Sequence, residues 1–196
     1  MMNNTLIIFV KNPIPGRVKT RLAKDIGDEK AVWVYRKLLQ RTADAIRPLN
    51  INKAVWYGDH VNDDDLWNGL KKYQQPEGDL GHRMKSACER SFEESTKVCI
   101  IGSDCPQLRT EIIEEAFVAL NHHDFVIGPA EDGGYYLLGM SSFIPSVFES
   151  VEWSTSKVFE QTVARIAAAG ASYHTLEKLR DVDDMRDVDA LGLIIP

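Results

Sequence analysis

Two short apolar, mostly β-branched runs, Leu6-Ile7-Ile8-Phe9-Val10 and Val98-Cys99-Ile100-Ile101, each stop abruptly at a loop that carries charge. Runs apolar at successive positions read as strands buried on both faces, as in a parallel sheet covered by helices. The first empties into Lys11-Asn12-Pro13-Ile14-Pro15-Gly16-Arg17-Val18-Lys19-Thr20-Arg21-Leu22, the second into Gly102-Ser103-Asp104-Cys105-Pro106. Open α/β sheets bind ligands at the carboxyl ends of their strands. Both loops therefore belong on the functional edge.

Helical and strand patterns alternate along the rest of the chain, which predicts a three-layer α/β/α sandwich with a mostly parallel, mixed sheet. Residues 28–46 carry a helical apolar stripe and residues 51–57 read as a strand. Asn62 to Asp65 is expected to cap a short helix, and residues 74–81 to form a loop. Met84, Ala87, Cys88 and Phe92 mark another helix, and Thr110 is a candidate N-cap for the next. Residues 124–128 and 134–140 read as neighbouring strands. Their five-residue link holds no crossover helix, so they should pair antiparallel. Ser154 or Thr155 is expected to open the last long helix, closed by Gly170, before a strand over residues 171–176.

Composition narrows the function classes. The 196 residues suit one domain, residues 1–196, at 44% hydrophobic and 27% charged residues. A net charge of −6 disfavours a nucleic-acid partner. No apolar run approaches the ~20 residues a membrane span needs. No charged-then-apolar leader precedes the first strand, and Cys88, Cys99 and Cys105 form no CxxC, so a cytoplasmic location is expected.

The first loop places Lys11, Arg17, Lys19 and Arg21 within eleven residues, on a path tightened by Pro13, Pro15 and Gly16. Phosphate groups favour such mixtures of point charges and forked guanidinium donors. It is neither a Walker A loop nor a GxGxxG turn. Asp104, at a strand end, is of the type that ligates a divalent ion on a nucleotide diphosphate. Glu131-Asp132-Gly133-Gly134 reads equally as a hairpin turn and as a site loop. In a site, the glycines would admit a ligand and Asp132 would orient a hydroxyl or act as a base. Asp181, Asp183, Asp184 and Asp187 form either a solvated acidic run or the second source of metal-binding carboxylates. Trp153-Ser154-Thr155 either borders an acceptor pocket or packs a helix end.

Taken together, five ordered segments resemble a known family: Lys11-x-Pro-x-Pro-Gly-x-Val-Lys-Thr-Arg-Leu22, Gly78-Asp-Leu-Gly-x-Arg-Met84, Gly102-Ser-Asp-Cys-Pro106, Gly128-Pro-Ala-x-Asp-Gly-Gly-Tyr-Tyr-Leu-Leu-Gly139 and Trp153-Ser-Thr155. They look like the bacterial DUF2064 proteins, classed as glycosyltransferases of GT-A fold. The chain is more distantly similar to nucleotidyltransferases of the molybdenum-cofactor and phospholactate guanylyltransferase type. The resemblance implies Lys11, Gly16, Lys19 and Arg21 at the phosphates, and Gly78, Asp79, Gly81 and Arg83 near base or ribose. It implies Mg²⁺ or Mn²⁺ on Asp104 and Asp183, with Asp181 as the other candidate, and Gly133, Gly134 and Trp153 near the acceptor or transferred group. His82 stands where relatives of this type would carry a glutamate, which bears on base preference.

The leading expectation is a metal-dependent transferase using a nucleotide-activated sugar, with Asp132 as the candidate base and a small-molecule acceptor. A nucleotidyltransferase releasing pyrophosphate from a nucleoside triphosphate, and a nucleotide-binding module without turnover, are the alternatives. The cation-rich loop leans toward a triphosphate; acceptor and oligomeric state are not legible.

Overall fold

The computed structural model describes residues 4–195. Seven strands, β1 (Asn4–Val10), β2 (Asn52–Tyr57), β3 (Lys71–Gln74), β4 (Lys97–Ile101), β5 (Phe125–Pro129), β6 (Tyr135–Met140) and β7 (Tyr173–Thr175), form one sheet in the order β3-β2-β1-β4-β6-β5-β7. All pairings are parallel except those of β6, which runs antiparallel to both β4 and β5. The mostly parallel mixed sheet matches the expectation, including the short β5–β6 link.

The alternation of side chains sorts the core into two layers. Leu6, Ile8 and Val10 of β1 and Cys99 and Ile101 of β4 face one way. They meet α1 (Thr20–Ile26), α2 (Asp28–Ile46), α4 (Thr110–Ala119) and α6 (Met185–Ala190). Ile7, Val98 and Ile100 face the other way, toward α3 (Leu80–Phe92), α5 (Val158–Ala168) and a 3₁₀ turn at Pro145–Phe148. A bulge at Gly128/Pro129 breaks the alternation in β6, so Tyr136 joins Leu137 in the first layer while Tyr135 lies in the second.

Several local expectations are corrected. The segment from Thr20 is helical, so the basic loop ends at Lys19, the N-cap of α1. Residues 62–65 cap no helix; Asp65 instead accepts from Trp67 N, Tyr57 Oη and Lys72 Nζ, folding a turn around its carboxylate. Lys71–Gln74 is an edge strand too polar and short to reveal itself. Arg109, not Thr110, is the N-cap of α4, and Thr110 Oγ1 donates to Ala45 O across the layer. The last long helix opens at Val158, after Thr155 Oγ1 has accepted from Lys157 N.

The strand order has one consequence for the site. From β1 the chain moves outward through β2 and β3, then returns to the opposite side of β1 to enter β4. The two crossovers leave β1 and β4 in opposite senses, opening a crevice beyond their carboxyl ends.

Candidate functional site

That crevice is a cleft of about 820 Å³. Its floor is formed by the loops after β1 and β4 and by the tail that enters α6. The β1 loop is held from beneath: Tyr35 Oη of α2 accepts from Lys11 N at 2.9 Å and lies 3.2 Å from Ser103 Oγ. Buried Asn12 donates its side-chain amide to Asp59 Oδ1 and His60 O. The path of the loop is thus set by the protein and not by the cations it carries. Burial, reinforced by the Asp104 charge, pushes the Tyr35 phenol far above its ordinary range, so it stays a neutral hydrogen-bonding post.

The tail reaches the site by extending the sheet. Leu179 bridges Ala130, its N–H donates to Pro129 O, and Val182 N donates to Asp104 O at 3.0 Å. This last bond docks the residue between Asp181 and Asp183 onto the β4 loop. Lys19 Nζ then bridges Asp104 Oδ1 at 2.9 Å and Asp183 Oδ1 at 3.3 Å, and Arg21 pairs with the other oxygen of Asp183. The Lys19 side chain is 5% exposed. Burial alone would lower its pKa, but the two carboxylates overcome that and hold it raised.

Asp181 lies beside these groups; its Oδ1 is buried without a hydrogen-bond partner, and its carboxylate neighbours the Cys105 thiol. Burial first, then the like charges of Asp104 and Asp132, push its carboxyl up to about 7 against the pull of Lys19. An orphaned carboxylate oxygen beside two further carboxylates is a donor set of hard oxygens suited to Mg²⁺ or Mn²⁺. Among the described residues no three His, Cys, Asp or Glu side chains are grouped so as to hold a metal ion, and Lys19 lies between two of these carboxylates, Asp104 and Asp183. The donor chemistry, hard carboxylate oxygens, is of the type that suits a divalent cation.

Lys11, Lys19, Arg21, Gly78, Arg83, Asp104, Asp132, Gly134 and Asp183 all line the cleft. Gly16, at φ +74, turns the loop behind the lining. Asp79 caps α3 by accepting from His82 N. Trp153 lies over Gly81 at the start of α3, where any Cβ would overlap the indole, so both support the wall. Gly133, at φ +90, supports the opposite wall: a Cβ would strike the Ser156 carbonyl, and Gly133 O accepts from Phe159 N. The cleft also takes in Gln75, Leu80 and Ser154 to Ser156, and Ser154 holds φ 64. Gln75 went unseen because β3, which delivers it, was not legible.

Residues 42–155 match the family described as "Uncharacterized protein conserved in bacteria (DUF2064)". The chain belongs to this family. A structure from Desulfovibrio desulfuricans G20, provisionally named a nucleotide-diphospho-sugar transferase, is 35% identical. It superposes with a TM-score of 0.89 over 97% of this DUF2064 chain and 87% of its own. A 2-phospho-L-lactate guanylyltransferase of Methanocaldococcus vulcanius is 27% identical over 143 residues, 70% of this chain. The match spans 61% of that relative, less than two thirds of its length. Rv0371c of Mycobacterium tuberculosis H37Rv, solved with manganese, shares the fold at TM-score 0.59 and 16% identity, over 97% of each chain. The fold is thus that of the nucleotide-diphospho-sugar transferases and nucleotidyltransferases. Among the described residues no helix is long and apolar enough to cross a membrane.

Proposed function

We propose that the whole chain is one metal-dependent nucleotidyltransferase domain that binds a nucleoside triphosphate and passes its nucleotidyl group to a small acceptor. The observation that carries this reading is the convergence, at the switch point of the sheet, of Lys11, Lys19 and Arg21 with Asp104 and Asp183. The named activity of the M. vulcanius relative supports the reaction, and the manganese of the Rv0371c structure supports the metal. Three free, buried cysteines are in keeping with a reducing cytoplasm.

In this reading Lys11 and Arg21 hold the outer phosphates, and the β1 loop keeps them aligned through Tyr35 and Asp59. An acceptor oxygen attacks the α-phosphorus, the bond to the bridging β-phosphate oxygen breaks, and pyrophosphate leaves with its charge matched by fixed cations. Asp104 and Asp183, with Asp181 beside them, would hold Mg²⁺ or Mn²⁺, which supplies neutralisation of the polyphosphate when bound. Asp132 is the carboxylate on the acceptor side that could orient the attacking group or take its proton.

A second reading, glycosyl transfer from a nucleotide sugar, is supported by the name of the D. desulfuricans relative and by Asp132, Gly134 and the serine-rich segment facing the phosphate loop. The two readings differ in the bond broken. Purified protein with Mn²⁺ should be offered nucleoside triphosphates and nucleotide sugars with mixed small acceptors. Pyrophosphate from a triphosphate supports nucleotidyl transfer, and nucleoside diphosphate from a sugar donor would replace it with the second reading. Tight binding of both without product would leave a binding module.

A further inference from the structure

We propose that Lys19 is a built-in stand-in for the divalent cation. Its ammonium holds the metal-binding carboxylates together in the ligand-free protein and moves onto the donor phosphates when metal and nucleotide enter. The inference rests on the reading of the site just given, and adds to it a competition between a side chain and the metal.

The geometry points to this role because Nζ occupies a bridging position and not a solvent-facing one. It touches Asp104, which leaves β4, and Asp183, which arrives with the tail, at distances of 2.9 and 3.3 Å. Both Lys19 and Arg21 line the cleft and meet Asp183, but the Arg21 side chain is 67% exposed while that of Lys19 is 5% exposed. Lys19 turns inward from a left-handed backbone, φ 48 and ψ 42, a conformation that costs a non-glycine residue strain. The neighbouring Asp181 Oδ1 has no hydrogen-bond partner although Lys19 and Arg21 both serve the cluster, and a divalent ion brings more charge and more coordination positions than an ammonium.

An ammonium and a divalent ion compete for the same carboxylate oxygens. Metal entering alone must displace Nζ from Asp104 and Asp183, whereas metal arriving with a polyphosphate gives Nζ a new, multiply charged anion in the same cleft. Metal and polyphosphate therefore bind with positive coupling built into one residue.

The test is a titration of Mn²⁺ alone, without nucleotide, into wild type, Lys19→Met and Asp104→Asn, each checked by circular dichroism. Lys19→Met is expected to bind Mn²⁺ about tenfold more tightly than wild type while losing affinity for the Mn²⁺–nucleotide complex, and Asp104→Asn to bind neither. A phosphate-only lysine would leave Mn²⁺ affinity unchanged, and that result overturns the proposal. Should Lys19→Met not fold, wild type labelled with ¹⁵N-lysine answers the same question. The Lys19 ammonium resonance is expected to shift when Mg²⁺ and tripolyphosphate are added together, and an unmoved resonance at saturation overturns the proposal. If wild type binds Mn²⁺–nucleotide but Lys19→Met gains no Mn²⁺ affinity, the stand-in role falls and the transferase reading stands. If no nucleotide binds but the gain is seen, the reverse holds.

Discussion

Asp104 is the residue at which position and chemistry meet most simply. It lies in the loop just after a strand buried at every position, yet its side chain is 44% exposed and lines the cleft. Its pairing with Lys19 is half solvated on the carboxylate side, so screening limits its worth to stability to about 1 kcal/mol or less. Asp104→Asn should accordingly leave the thermal midpoint within a few degrees of wild type and abolish the Mn²⁺-dependent part of nucleotide binding in calorimetry. Retained metal-dependent affinity would remove Asp104 from the metal site. Gly81 and Gly133 illustrate the opposite case, residues whose motif reads as ligand contact but whose missing Cβ admits Trp153 and the Ser156 carbonyl. Sequence pattern alone cannot separate these, since close approach of a ligand and close approach of the protein's own chain demand the same glycine.

Elements were legible in proportion to how strongly burial patterned them. β1 and β4, apolar throughout, and α2, with its long apolar stripe, could be read directly, as could the antiparallel β5–β6 pair. The edge strand β3, with no residue fully buried, left no such trace, nor did the seven-residue α1, whose N-cap Lys19 offers no capping side chain. The resemblance placed Lys19, Asp104 and Asp183 in one site, but their direct ion pairing was not legible, because it depends on the Val182 N–H to Asp104 carbonyl bond that docks the tail. Within that tail, α6 has a structural task that its acidic composition conceals. Asp187 Oδ2 accepts the N–H groups of Asp183 and Asp184 at 2.9 and 3.1 Å, its Oδ1 meets Arg180, and Asp184 completes the capping box. Asp187→Ala should cost about 1–2 kcal/mol, the range for losing a helix cap. It should also weaken Mn²⁺–nucleotide binding several-fold, because Asp183 loses the bond that fixes its backbone. Lowered stability with unaltered binding would mean that Lys19 and Arg21, and not α6, position Asp183.

For the molecule as a whole, the buried carboxyl of Asp181 at the switch point links folding to pH. Burial and the charges of Asp104 and Asp132 raise the Asp181 carboxyl from 3.8 to about 7 in the folded chain. Between these two values the folded protein keeps a proton that the unfolded chain has already released. By linkage, the stability contributed by this group is full at low pH, is lost as pH rises toward 7, and stays lost above it. Other carboxylates drawn down by their partners act in the opposite direction at more acid pH, so the effect is read as a difference against Asp181→Asn. Relative to that variant, metal-free wild type should lose stability from about pH 5 to about pH 7 and hold constant from there to about pH 8. A metal binds the ionised carboxylate, so the stabilisation from a fixed Mn²⁺ concentration should grow over the same interval in wild type and much less in Asp181→Asn. Denaturant midpoints of both proteins, with Mn²⁺ and with chelator, measure all four curves. A flat difference between the chelated proteins would mean that Asp181 titrates as an ordinary carboxylate. A Mn²⁺ response with the same pH slope in both would mean that Asp181 stands beside the ion without ligating it.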